Sequence, residues 1–335
     1  MTENLPQKEK TNFRSIAGRV LRHENAVLAL ILVVLILVMG ATTNWVITSR
    51  TNISNVLLQS SVTGVAALGQ AFVILAGGID ISIAGVGLLC AAMGSTLVTL
   101  DPWQNIAGHP YPVYAAIPIM LLIGLVFGLA NGSLITRIGI PSIIATLGMW
   151  QITWGIAFLV IKGQTIMNLP DSLAWFGMGK ISGVPVPVII FIGVAAVSFY
   201  VLHYTAFGRR VYASGGNPMS AWLSGIDVKN TQLITYMISG FLAGLAAMIT
   251  VARTMCVMTR TLLGLELDTI AAVVVGGVSL FMGRGTIIGA IIGVLIIGVI
   301  DNGMSVLGAG PALQGIAKGA IIFAAVAIDV WRRKK

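Results

Sequence analysis

Ten stretches of this sequence are apolar enough to lie in lipid, and nothing else in it restricts the fold as tightly. A span takes about 20 mostly apolar residues, because a helix rises about 1.5 Å per residue and the hydrocarbon core is about 30 Å thick. By that measure the runs are 26–43, 55–75, 83–100, 113–133, 141–161, 185–203, 231–252, 268–281, 285–303 and 311–331, the eighth being short. Lipid offers no partner to a backbone N–H or C=O, so such runs must close their hydrogen bonds internally, as helices. The composition agrees: 57% of residues are hydrophobic and 9% charged, where a soluble domain carries about 25% charged. The expectation is an all-α integral membrane protein with about ten transmembrane helices. It has one transmembrane domain over 26–331, an N-terminal segment over 1–25 and a basic tail over 332–335. The first run is longer than the core of a signal peptide and reads as a retained helix.

Charge gives the orientation. With the N-terminus inside, Lys8, Lys10, Arg14, Arg19, Arg22, Arg137, Arg209, Arg210, Lys229, Arg284, Arg332, Arg333, Lys334 and Lys335 fall in inside segments, against Arg50, Lys162, Lys180, Arg253 and Arg260 outside. The bias is nearly three to one and follows the positive-inside rule, so both termini are expected in the cytoplasm. Basic residues scattered over short loops do not make a nucleic-acid-binding face. Cys90 and Cys256 form no disulfide framework or metal spacing and read as small core residues. The chain has no G-x-x-x-x-G-K-[ST] loop and no H-E-x-x-H motif, and His23, His109 and His203 are scattered. No enzyme active site and no metal site is visible.

Membrane helices associate through small residues that let backbones approach. Gly124, Gly128 and Gly132 recur every four residues, as do Gly285, Gly289 and Gly293, and Gly240 and Gly244 do the same in the seventh span. These read as packing faces. Two glycine-paired breaks, "LAGGIDIS" at 75–82 and "VVGGVSLFMGRGT" at 274–286, form a weak internal repeat offset by 199 residues. Interrupted helices in repeated positions mark transporter sites. Six spans separate the two breaks, which makes the repeat parallel.

Polar residues inside spans face a bundle interior or a cavity. Asn55, Gln59, Thr63 and Gln70 share a narrow arc of the second span. This stripe either lines a watery path for a polar solute or makes hydrogen bonds between helices. Trp150 with Thr146 and Thr153, and Asn302 and Gln314 further on, are weaker pathway candidates. Asp80 either caps the third span or stands near the solute gate. Lys318 is expected to pair with Asp301.

The longest polar stretch is the loop 204–230, which contains "FGRRVYASGGNPMSAWLSGI". After Gly215 and Gly216, Asn217 suits an N-cap and Pro218 the first helical position. Gly225 suits a left-handed stop. One short helix over Met219–Ser224 follows, with Ala221, Trp222 and Leu223 as apolar surface and a docking role.

At these residues the chain resembles membrane (permease) subunits of ATP-binding-cassette importers for monosaccharides, of the ribose, xylose, arabinose and galactose type. The resemblance rests on "GGIDISIAG" (77–85), "IPSIIATLG" (140–148), the 207–226 stretch, "LELDTIAAVVVGGVSLFMGRGTIIGAIIG" (265–293) and "DNGM" (301–304). It implies a fold similar to that of the vitamin B12 importer, in a dimer with a central pathway in the bacterial inner membrane. It also implies that 207–226 is a coupling helix for an ATP-binding subunit, which holds the ATP and Mg²⁺, and that a periplasmic binding protein delivers the solute. The second permease subunit is an identical copy or a paralogue. Ala84 and Met282 stand where the family usually has glycine, and Met219, Ser220 and Trp222 replace a commonly more charged stretch. Alternative solutes are a branched-chain amino acid, a nucleoside or a furanosyl signal molecule. A secondary transporter is the alternative class.

Overall fold

Each of the ten apolar runs contains a helix, and the lengths are unequal. The computed structural model describes residues 24–333, so Lys8, Lys10, Arg14, Arg19, Arg22, Lys334 and Lys335 lie outside the described residues, with most of the 1–25 segment and part of the 332–335 tail. The apolar helices are α1 (Glu24–Thr42), α2 (Arg50–Leu75), α3 (Ile83–Val98), α4 (Val113–Ser133), α5 (Ser142–Val160), α7 (Val186–Tyr204), α10 (Val228–Thr254), α11 (Leu265–Val275), α12 (Ile287–Val306) and α13 (Pro311–Arg333). Between them lie α6 (Asp171–Met178), α8 (Ala206–Gly216) and α9 (Pro218–Leu223), and a hairpin that pairs Lys180–Ile181 with Val184–Pro185. Eight of these helices are long and apolar enough to cross a membrane, and the shorter α3 is also apolar.

The eighth run does not span. Its helix, α11, has 11 residues, which is about 16 Å or half a hydrocarbon core. The apolar run read as 268–281 continues past the helix end into a turn, because "GGVSLF" is as apolar as the helix before it. Hydropathy does not register the change of backbone.

At the centre stand α2 and α10. Every residue of α2 from Gly64 to Leu75 is buried. The glycine faces do what their spacing suggests at α4. A methyl group on Gly124 would meet the carbonyl of Gly240, and one on Gly128 the carbonyl of Tyr236, so the backbones of α4 and α10 are in contact. On α12, Gly289 and Gly293 lie against the carbonyls of Gly276 and Ala272 in α11 and the turn beyond it. Gly285 departs from the expectation: α12 begins two residues later, and Gly285 sits in the turn at φ +140° against Val278. Replacing Gly289 by Leu is expected to destabilise the α11–α12 contact by roughly 1–3 kcal/mol, through overpacking against backbone that cannot rotate away. Thermal unfolding of the purified subunit measures it, and an unchanged midpoint would place that glycine against a yielding neighbour.

Both breaks end their helix in the same way. Gly77 (φ +86°) and Gly277 (φ +81°) adopt the left-handed conformation. Gly77 N donates to Ile74 O and Gly78 N to Val73 O, while Gly277 N donates to Val274 O and Val278 N to Val273 O. This is one Schellman stop made twice, with matching atoms offset by 200 residues rather than the 199 read from the paired glycines.

The bundle has two chemically distinct ends. Arg137 bonds Asn230 at the start of α10, and Gly215 in α8 touches the turn that precedes Arg284, so Arg137, Arg209, Arg210, Lys229 and Arg284 gather at one end. At the other end, Gly177 abuts the backbone of Ala252 and Arg253, and Ile166 bridges to Val257. Exposed Trp103, Tyr114 and Trp175 lie at that end, as in an interfacial aromatic belt.

Candidate functional site

The loop 204–230 holds two helices rather than the single short one expected. Thr205 caps α8, its Oγ1 accepting from Gly208 N at 3.2 Å. Asn217 then caps α9, its Oδ1 accepting from Ser220 N at 2.9 Å. Pro218 occupies the first position of α9, and Gly225 closes it at φ +81°, with Ile226 N donating to Ala221 O at 3.0 Å. The signals for α9 were local and sufficient. Those for α8 were weak, because "GRRVYASGG" has no apolar run.

Together α8 and α9 form a seat and a projection. At the C-terminal end of α8, Gly215 lies against the carbonyl of Leu75 on one side and against Gly283 on the other. Any side chain there would separate α8 from the two breaks. Tyr212 adds a hydrogen bond from its hydroxyl to Gly285 O at 3.1 Å. Both helix interruptions therefore meet α8 at the same end of the bundle, which gives the repeat its parallel sense. Beyond this seat α9 stands clear: Met219, Trp222 and Leu223 are 65%, 65% and 72% exposed. Ala221, expected on that surface, is turned inward and is 5% exposed.

The first break is also held by one face of α10. Gln232 Nε2 donates to Ala76 O at 3.0 Å, Tyr236 Oη to Ile79 O at 3.4 Å, and Ser239 Oγ to Asp80 Oδ2 at 2.7 Å. The positions i, i+4 and i+7 lie on one side of a helix, a polar stripe that the sequence reading passed over. Asp80 is buried. Its Oδ1 accepts from Ser82 N at 2.9 Å and Ser82 Oγ at 2.6 Å, and Asn131 Nδ2 donates to that hydroxyl at 2.7 Å. The Gln70 amide, oriented to satisfy both contacts, donates to Asp80 O at 3.0 Å and accepts from Asp80 N at 3.3 Å. Asp80 thus serves the turn ahead of α3, tying it to α2, α4 and α10, and not the first turn of α3 itself.

The stripe on α2 divides by depth. Asn55 and Gln59 are exposed and Thr63 is half-buried. Gln70 lies on the same face, but every residue of α2 from Gly64 onward is buried, and Gln70 fully so. Among the other candidates, Asn302 is paired with Asn52: Asn52 Nδ2 donates to Asn302 Oδ1 at 2.6 Å, and Asn302 Nδ2 returns to Asn52 Oδ1 at 3.1 Å. Gln314 Nε2 donates to Ser305 Oγ at 3.1 Å and Ala309 O at 3.0 Å, closing the α12–α13 turn. Trp150 is half-buried, and its backbone abuts Gly85. An open polar face therefore remains at Asn55, Gln59 and Thr63.

Lys318 meets Asp301 Oδ2 at 3.0 Å, as expected, and also Asp268 Oδ1 at 2.8 Å. The second contact joins the half-length α11 to α12 and α13. Cys90 is buried and Cys256 half-buried, and neither is in a disulfide.

Compared with known proteins, residues 52–326 match the family described as branched-chain amino acid transport system, permease component. The chain is 36% identical to a ribose import permease protein of Haemophilus influenzae, over 97% of this chain and 98% of that one. It is 37% identical to a ribose import permease protein of Bacillus subtilis over 85% of each chain. It is 35% identical to a D-allose transport system permease protein of Escherichia coli over 89% of each. No solved structure matches it.

Proposed function

This chain belongs to the family of transport-system permease components, and from that membership we propose that it is the membrane subunit of an ATP-driven importer for a monosaccharide. The observation that carries the reading is α9: a helix capped at both ends, with three exposed apolar side chains, seated through α8 on both helix breaks. A rigid projection of that kind can pass a push into the bundle, whereas a flexible loop would absorb it.

The division of labour follows. A separate ATP-binding subunit holds ATP and Mg²⁺ and docks on α9, so the α8 end faces the cytoplasm, in agreement with its basic residues. A periplasmic binding protein delivers solute at the end that carries Trp103, Tyr114 and Trp175. A second permease subunit completes the path. Closure of the ATPases moves α9. Through Gly215 and Tyr212, that motion reaches the turns at Leu75–Gly77 and Gly283–Gly285 together, and the bundle exchanges outward and inward states. The chain itself performs no chemistry.

The solute class rests on relatives named for ribose and D-allose. A branched-chain amino acid is the second reading, favoured by the family's description. Competition of labelled ribose uptake by unlabelled D-allose, but not by leucine, is the expected result. Competition by leucine alone would reverse it. The open face of α2 is the proposed solute path. Replacing Gln59 by Leu is expected to lower uptake about tenfold through loss of a hydrogen-bond partner worth roughly 1.5 kcal/mol, with assembly intact. Normal uptake would place the path elsewhere.

A further inference from the structure

An open groove between α2, α4, α7 and α10 lies outside everything described so far. It encloses about 630 Å³, and among its thirteen lining residues Ser198 alone has a polar side chain. Its floor is Phe72 and Leu242, both buried, and its walls include Val197, Ile234 and Phe241, all exposed. Gly193 lies in the α7 wall, and a side chain there would meet nothing within 4 Å. From Ile190 to Val201 the groove follows α7 for about 16 Å, which is one leaflet of a hydrocarbon core about 30 Å thick. It occupies the half of α10 nearer α8: Ile234 begins the wall six residues after α10 starts at Val228.

What stands at that end is specific. One helical turn before Ile234, Asn230 accepts a hydrogen bond from the guanidinium of Arg137. Lys229 is exposed beside it, and exposed Arg209 and Arg210 follow the end of α7. Asp227 is the acid on this rim, and it is engaged at Asn230, accepting from its backbone N–H at 3.0 Å and from its side-chain amide. Arg137 and Lys229 against one engaged carboxylate, with Arg209 and Arg210 exposed at the same end of the bundle, leave that end basic. Tyr200 and Tyr204 are exposed on the last turns of α7, where aromatic rings settle at headgroup depth. An apolar channel one leaflet long that ends in guanidinium and ammonium groups is complementary to an amphiphile with an acyl chain and an anionic headgroup.

We infer that this groove holds one acyl chain of an anionic phospholipid, with the phosphate at the Arg137 rim. The protein in this account carries a bound lipid between α7 and α10, on the α8 side of the membrane. The lipid would brace α10, whose Gln232, Tyr236 and Ser239 hold the first break from the neighbouring face.

The test uses the full chain in vesicles that carry a trace of phosphatidylglycerol or phosphatidylcholine with a photoreactive group on one acyl chain. Labelled peptides are then mapped. The expected result is labelling within 190–201 and 234–242 that is several-fold stronger with phosphatidylglycerol. Gly193→Trp places an indole in the channel from a position where a Cβ meets nothing within 4 Å, and should abolish that labelling. Arg137→Gln should reduce the preference for phosphatidylglycerol about fivefold while the labelled positions stay the same. Equal labelling by the two lipids, or labelling that survives Gly193→Trp, overturns the assignment. So does a disulfide between two Val197→Cys chains, because a second copy would then cover the groove.

Discussion

Replacing Lys318 by Met is expected to destabilise the folded subunit by about 2–3 kcal/mol, below the roughly 3–5 kcal/mol typical of a fully buried ionic set, because Lys318 and Asp268 are half-buried and Asp301 alone is buried. The ammonium is shared: it lies 2.8 Å from Asp268 and 3.0 Å from Asp301. The three side chains are 23%, 20% and 9% exposed. Without Lys318, two carboxylates on adjoining helices face each other with no counter-charge. The short α11 would lose its one ionic attachment to α13 among the described residues, and α11 carries the second helix break. Met keeps the length and apolar bulk of the Lys stem, so the change isolates charge. Changing Asp268 and Asp301 to Asn together with Lys318 to Met should recover most of the loss, since whole ionic sets are often replaceable at little cost. Thermal unfolding of the purified single and triple variants gives both numbers. A single variant as stable as the parent would mean that the set contributes nothing.

The second large effect concerns docking. Leu223→Asp should weaken the proposed complex with an ATP-binding subunit by about 2 kcal/mol or more, roughly 30-fold, because it puts a carboxylate where an exposed apolar side chain would be buried on docking. Leu223 and Trp222 are the most exposed apolar side chains of α9 beside Met219. None of the α9 backbone depends on them: the caps are Asn217 and Gly225. The subunit should therefore fold and insert normally while failing to retain its ATPase on co-purification, and solute-stimulated hydrolysis should fall in parallel. Retention of both activities would remove α9 from the interface.

Much of this was legible in sequence, and the failures have definite physical causes. The ten helices follow from apolar run length, and α9 from Asn217, Pro218 and Gly225, because each signal is local. The α4 face at Gly124 and Gly128 was readable since helical spacing fixes which residues share a side. The same spacing misled at Gly285, where a turn that is as apolar as a helix interrupts the run. Depth was not legible either: Gln59 and Gln70 share a face of α2, and only the packing around the C-terminal half of that helix buries one and leaves the other open. Long-range pairings were beyond any pattern. Asn52 meets Asn302 across 250 residues, and Tyr212 meets Gly285 across 73. The Gln232, Tyr236 and Ser239 stripe, by contrast, was visible as i, i+4, i+7 within an apolar run.

In the proposed mechanism ATP hydrolysis, and not an ion gradient, drives solute through this chain. Uptake of labelled ribose tests it most directly, in vesicles that contain the chain, its ATP-binding subunit and the binding protein, with and without enclosed ATP and with and without an ionophore. Uptake that requires ATP and survives collapse of the ion gradients is expected. Uptake without ATP that disappears when the ionophore is added would contradict it.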